Sequence, residues 1–258
     1  MGQMPDVGRG EPAHLFGSDQ LEKRMNIKPI GWIAIVLAAS GCATTRMAVP
    51  ADLANAPEWS VRARSLWRPD APLRVGPYEA HRIDRHGIRQ RGGIVDALKG
   101  KKEYQQRYEF LLRDTAERRD LWAVRCDNRD VEQGIRLGSV ELSLDDRTSL
   151  ECSIQPPGEP ARAWALRMRG SDDGAPAGRL TREEVSYQVE GESAPGPQTD
   201  CCEALGYVLR RDGRVLGAVE NLDRGRVRVA PDVGADEGSL IAATALALIL
   251  QSKLIEGD

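Results

Sequence analysis

From residue 59 onward, apolar side chains recur mostly at every second position, the period of a strand with one buried face. Strands are predicted over 59–67 and 75–88. Residues 108–112 and 121–126 read as a strand pair flanking the polar stretch 114–120, although 101–114 also has helical propensity. Val140-Glu-Leu142-Ser-Leu144 and Leu150-Glu-Cys152-Ser-Ile154 alternate on either side of Asp145-Asp-Arg-Thr148, which predicts a hairpin. Residues 163–169 and 185–189 are two more strands, separated by a Gly/Asp/Pro loop over 170–178 and followed by a loop over 191–200. Asp212-Gly213 lies between the apolar runs 206–211 and 214–220, and both residues tolerate the positive φ of a type I′ turn. With 227–230, this predicts a three-stranded meander.

The period changes only at the end. Leu240-Ile241-Ala-Ala-Thr-Ala-Leu246-Ala-Leu248-Ile249-Leu250 is a run of helix formers with apolar residues on every side. Asp236 and Glu237 precede it, where acidic groups favour a helix amino terminus. A helix is therefore expected over 239–254. Having no polar stripe, it must be surrounded by protein or by lipid. Its apolar run of 11 residues is short of the roughly 20 needed to span a bilayer, so burial in the fold is expected. The fold class is mainly β (α+β): an antiparallel barrel or curled sheet enclosing the terminal helix. A β-sandwich with the helix at one end is the rival. On residues 206–254 and the number of upstream strands, the chain resembles the tubby-like superfamily, which includes plant LURP-one-related proteins and phospholipid scramblases. That resemblance implies a barrel around a hydrophobic carboxy-terminal helix, and lipid contact.

Upstream, residues 25–41 have the parts of a secretory signal: a start with Lys28, an apolar run over 29–39, and Ala39-Ser40-Gly41 directly before Cys42. Such apolar runs are typically about 7–15 residues, too short for a permanent span. Ala39-Ser40-Gly41-Cys42 resembles the lipobox of bacterial lipoproteins, with Ala39 where Leu is usual. The resemblance implies cleavage before Cys42 and acylation of its thiol and new amino terminus, and several acyl chains anchor stably. Residues 1–24 are then an upstream extension, with Met25 the expected start. Residues 42–58 are expected to be a lipidated tether, and 59–258 a single domain. Ala43 follows the lipid site in place of Asp, which by the same resemblance implies the outer membrane, with the domain in the periplasm.

The formal charge of −3 gives no field for DNA, and export would remove that partner, so no nucleic acid is expected. The mature part is rich in arginine. In Arg224-Gly-Arg226-Val-Arg228-Val the arginines fall on one strand face and the valines on the other. Four further cysteines, Cys126, Cys152, Cys201 and Cys202, suit disulfides in an oxidising compartment. A Cys126–Cys152 bridge is preferred, since both lie on predicted strands. The alternative pairs each with one of Cys201 and Cys202. Zinc is disfavoured because no Cys-x-x-Cys occurs.

Among the reaction motifs sought, Gly-x-Ser-x-Gly, His-Glu-x-x-His and a glycine-rich phosphate loop do not occur, and no cofactor is expected. The expected role is non-catalytic binding of a lipid, glycan or envelope protein. A periplasmic hydrolase using His81, His86, Asp84 and Asp96 is one alternative, although a spacing of five turns the two histidines in different directions. A structural subunit of an envelope complex is another.

Overall fold

The computed structural model describes residues 46–62, 71–91, 101–137, 140–171, 174–193, 204–222 and 224–251. Residues 25–41, expected to be a signal, and Cys42, Asp96, Cys201 and Cys202 lie outside these residues.

The strands are β1 (Glu58–Ser60), β2 (Leu73–Val75), β3 (Tyr78–Arg85), β4 (Arg89–Arg91), β5 (Lys101–Asp114), β6 (Asp120–Leu137) and β7 (Val140–Gln155). They continue with β8 (Trp164–Ser171), β9 (Gly174–Arg182), β10 (Val185–Ser193), β11 (Ala204–Arg211), β12 (Arg214–Glu220) and β13 (Arg226–Val229), before helix α1 (Ala235–Leu250). All pairings are antiparallel, in the order β1-β13-β12-β11-β10-β9-β8-β7-β6-β5-β3-β2, with β4 on β5. The ends of this order meet: Arg62, just after β1, exchanges backbone hydrogen bonds of 2.9 and 3.2 Å with Arg74 of β2. The result is a nearly closed twelve-strand barrel, and the sandwich alternative is set aside.

Inside it lies α1. Every residue of α1 from Gly238 to Leu250 is buried, and Leu246 and Leu248 are fully enclosed. Inward-facing residues of the wall, among them Tyr108, Leu150, Leu166, Leu180 and Val227, complete one apolar core around it. Burial of each such side chain contributes about 1.5–3 kcal/mol. The only buried hydroxyl in the helix middle, that of Thr244, donates to Leu240 O at 2.9 Å. At the helix end, Tyr108 Oη donates to Ala247 O at 2.7 Å and Arg85 Nη2 donates to Leu250 O. The Leu250 carbonyl is one of those left without a partner within a helix, and the Arg85 cation suits the negative end of its dipole.

Several expectations are corrected. The helix begins at Ala235, not 239, so Asp236 and Glu237 form its first turn, and it ends at Leu250 rather than 254. Residues 145–148 are no turn: β7 runs unbroken and pairs with β6 from Leu137↔Val140 to Ala123↔Gln155. Hydrogen bonding to a neighbour outweighs the weak turn preference of Asp145-Asp146. Residues 174–178, expected in a loop, belong to β9. Gly178 is required there, because a Cβ would come within 2.0 Å of Arg167 O on β8. Of the loop expected over 191–200, residues 191–193 belong to β10, and 194–200 lie outside the described residues.

Residues 46–57 are not a free tether. They lie on the outer wall, where Met47, Leu53 and Ala56 bury against Leu205, Val208, Val215, Ala218 and Ala230. Asp52 accepts from Val215 N at 3.4 Å, and Ala56 O accepts from Arg228 at 3.0 Å. The domain therefore starts a dozen residues before the expected position 59. Its apolar anchors Met47 and Leu53 are too far apart to show a strand period.

The Asp212-Gly213 turn has φ of 51° and 79°, as a type I′ turn requires. Val227 and Val229 point inward, while Arg226 and Arg228 pair outside with Glu58 and Glu220. Cys126 and Cys152 face each other across β6 and β7, with Cα atoms 4.1 Å apart, and are bonded.

Candidate functional site

At the barrel end where α1 begins, the wall opens into a cleft of about 630 Å³. That lies within the ~300–1,000 Å³ typical of small-molecule sites. Its floor is the first turn of α1. Its rim comes from the start of β6, the β7–β8 connection, the β9–β10 turn and the end of β11.

Specific contacts hold several of the lining residues. Trp122 Nε1 donates to Ser239 Oγ at 2.8 Å, and Ser239 Oγ donates to Asp236 O at 2.7 Å, which ties β6 to the helix start. Trp164 and Tyr187 meet edge to face at 5.5 Å. Tyr187 Oη donates to Glu237 Oε1 at 2.6 Å, and Arg211 Nη1 donates to the same oxygen at 2.6 Å. Burial, followed by the hydrogen bond to Glu237 and that carboxylate's charge, pushes the Tyr187 hydroxyl up to about 12. Tyr187 is thus a fixed donor at neutral pH.

The cleft is lined by four arginines and four carboxylates, but they are not matched one to one. Arg211 is engaged by Glu237 and Arg162 by Glu159 at 2.8 Å. Arg182 instead stacks on Trp164, its Cζ 4.5 Å from the ring centroid, and forms no ion pair among the described residues. Stacking on an indole favours the cation while leaving its hydrogen-bonding edge open. The arrangement suits a ligand whose carboxylate or phosphate meets Arg182 beside Val185, which is 39% exposed.

The residues named for a hydrolase do not assemble. His81 is half-buried on β3, and its Nε2 lies 2.7 Å from Oδ1 of Asp120 at the cleft edge. Asp84 and His86 are exposed further along the chain, and Asp96 lies outside the described residues. The backbone at Arg82 takes φ of 50° and the β3–β5 register shifts between His81 and Asp84, which turns these residues apart. No group of three or more His, Cys, Asp or Glu side chains among the described residues has the geometry to hold a metal ion. No sequence motif marks Trp164, Arg182, Tyr187 or Glu237 as a site. Their only shared sequence signal is that each lies at or near the edge of an element.

No protein-family model, curated protein or solved structure matches the chain. Fold and cleft define it as an antiparallel barrel around a central helix with a ligand-sized opening beside the helix amino terminus.

Proposed function

We propose that this is a lipid-anchored protein of the bacterial cell envelope, held at the outer membrane through Cys42, whose barrel binds a ligand without transforming it. The observation that carries the anchor is the order of parts in residues 25–42: cation, short apolar run, small residues, cysteine. The binding role rests on the cleft, where Arg182 stands ready for an anionic group of an envelope lipid, glycan or protein. The barrel enclosing an apolar helix is also the arrangement implied by the tubby-like resemblance, which supports lipid contact as an analogy of fold.

A Cys42→Ser variant tests the anchor. It is expected to lose the acyl mass and leave the membrane fraction, and unchanged mass and partitioning would overturn the reading. Native mass spectrometry of protein released from membranes tests the cleft. A bound envelope component retained by the parent and lost by Arg182→Glu is the expected result, and equal retention by both removes the cleft from the proposal.

A hydrolase is the second reading, favoured by the His81–Asp120 contact at the cleft edge. Against it, the nearby Ser239 hydroxyl already donates to Asp236 O and accepts from Trp122, which suits a structural role. A measured turnover abolished by His81→Ala would reverse that preference.

A further inference from the structure

The wall strap, the helix direction and the long β6–β7 ladder share one axis, and together they distinguish the two ends of the barrel. The cleft end holds the start of α1, with Arg211 of β11 bonded to Glu237. The other end holds the finish of α1, where Gln251 Nε2 donates to Asn128 Oδ1 of β6 at 3.3 Å. Gly225, before β13, lies beside Ile249 at this second end. Arg46 and Met47 also belong there: they share a hollow with Glu220 and Arg226, and Met47 packs on Gly206 at the start of β11. From that point the strap runs toward the cleft end at Asp52, which bonds Val215, and returns through β1.

We infer that the barrel stands on the anchoring bilayer with the end of α1 toward the lipid and the cleft turned to the aqueous space. This rests on acylation of Cys42. Four chain steps separate Cys42 from Arg46, a reach of at most about 14 Å at roughly 3.5 Å per residue. Met47 is buried one step later, so the strap gives no further slack. The 16-residue helix is about 24 Å long at 1.5 Å per residue. A tether of that reach, leaving from the far end, is too short to bring the cleft face down onto the membrane.

A second support lies across the barrel. In the strand order, β6 is six places from β12, on whose outer wall the strap lies. At the helix-finish end, β6 and β7 continue pairing past Val131↔Arg147, the last level at which β8 reaches β7, out to Leu137↔Val140. That is six further residues of β6, about 20 Å at roughly 3.3 Å per residue. The start of the strap at Arg46 and the ladder thus lie at the same end of the barrel, on opposite sides. A lipid surface touched by both holds the barrel upright, and the ligand of the cleft then comes from the aqueous space or a facing structure, not from the headgroups of the anchoring leaflet.

The test uses the full acylated chain, purified from membranes and reconstituted in phosphatidylethanolamine/phosphatidylglycerol vesicles carrying a nitroxide headgroup lipid. In a Cys201→Ser, Cys202→Ser background, single fluorophores are placed through Val49→Cys, Arg89→Cys and Glu184→Cys. All three native residues are exposed: Val49 on the strap, Arg89 on β4 where it pairs with Gln105 of β5 toward the helix-finish end, Glu184 in the turn at the cleft. Quenching is expected to be at least threefold stronger at positions 49 and 89 than at 184. A ten-residue Gly/Ser insertion between Thr45 and Arg46 is expected to erase the difference. Strong quenching at 184 overturns the inference, as does quenching at 49 without 89, which describes a barrel lying on its side. Intact mass separates the two failures: an acylated chain with the wrong pattern overturns the orientation alone, whereas a chain without acyl mass overturns the anchor and the orientation with it.

Discussion

Tyr108 on β5 and Ala247 in the last turn of α1 are joined by a 2.7 Å hydrogen bond inside the barrel, a direct polar link between wall and enclosed helix at that end. Burial pushes the Tyr108 hydroxyl well above its usual range, so it stays a neutral donor. Ala247 O also accepts from Gln251 N at 3.1 Å, so removing the hydroxyl does not strand the carbonyl. Tyr108→Phe is therefore expected to cost only about 0.5–1.5 kcal/mol. Leu246→Ala, which empties part of a fully enclosed position, is expected to cost about 2–5 kcal/mol. Urea unfolding of the Cys42→Ser chain checks both, and equal midpoint shifts would contradict the enclosed position of Leu246.

The Cys126–Cys152 bridge closes a loop of 26 residues between directly opposed positions on β6 and β7. A loop of that length lowers the entropy of the unfolded chain by an amount corresponding to about 3–4 kcal/mol. The double variant Cys126→Ala, Cys152→Ala is expected to lose about that stability. Its strands should still pair, because the ladder between them continues well past the bridge on both sides. Circular dichroism should show an unchanged strand signal alongside a lower unfolding midpoint.

Parts of this fold were legible from local pattern. The β11–β12 turn could be read because Asp212-Gly213 tolerates positive φ in both positions, and α1 because a helix with no polar stripe needs protein on all sides. The long strands were not. Asn128 and Asp130 are buried polar residues inside β6, where an apolar alternation would have marked the strand. β9 was hidden by glycine and proline, and what recommends Gly178 is the carbonyl of Arg167, a neighbour known only once the sheet exists. The cleft was illegible for the same reason. Its residues come from four connections and the helix start, which meet only when the barrel closes.

Glu79 supplies a pH dependence. It lies on β3 between Arg74 of β2 and Arg113 of β5, is 3% exposed, and accepts from Arg74 Nε at 2.6 Å and from Arg113 Nη2. Burial alone raises its carboxyl, but the two hydrogen bonds and both positive charges outweigh it and hold the group below its usual 4.5. A depressed carboxyl contributes stability that is present above pH 4.5 and lost as pH falls through the folded value. Glu79→Gln is expected to lower stability at pH 7 by about 1–3 kcal/mol, since Arg74 remains largely hydrated. The same variant should flatten the acid limb of the stability profile below pH 4.5. An unchanged acid limb in unfolding midpoints taken from pH 7 to 3 would show that Glu79 does not set it.

The Tyr187 hydroxyl reports on the cleft itself. Its value near 12 has three sources acting in two directions: burial and Glu237 raise it, while Arg211 lowers it. Replacing Glu237 with Gln removes the negative charge beside the phenolate and should bring the titration down. Burial remains, so it should stay above the usual 10. Arg211→Leu removes the compensating cation and should move it up. In the parent, the raised folded value means that the stability linked to this group is fully present below pH 10 and lost as pH rises through about 12. Titration of ζ-carbon-labelled tyrosine by NMR separates this ring from the other four tyrosines of the chain by its loss in Tyr187→Phe. Shifts of the same sign in the Glu237 and Arg211 variants would mean that the three side chains do not share the oxygen at Glu237 Oε1. Opposite signs would show Arg211 committed to the helix start, leaving an incoming anion to meet Arg182, which has no ion pair among the described residues.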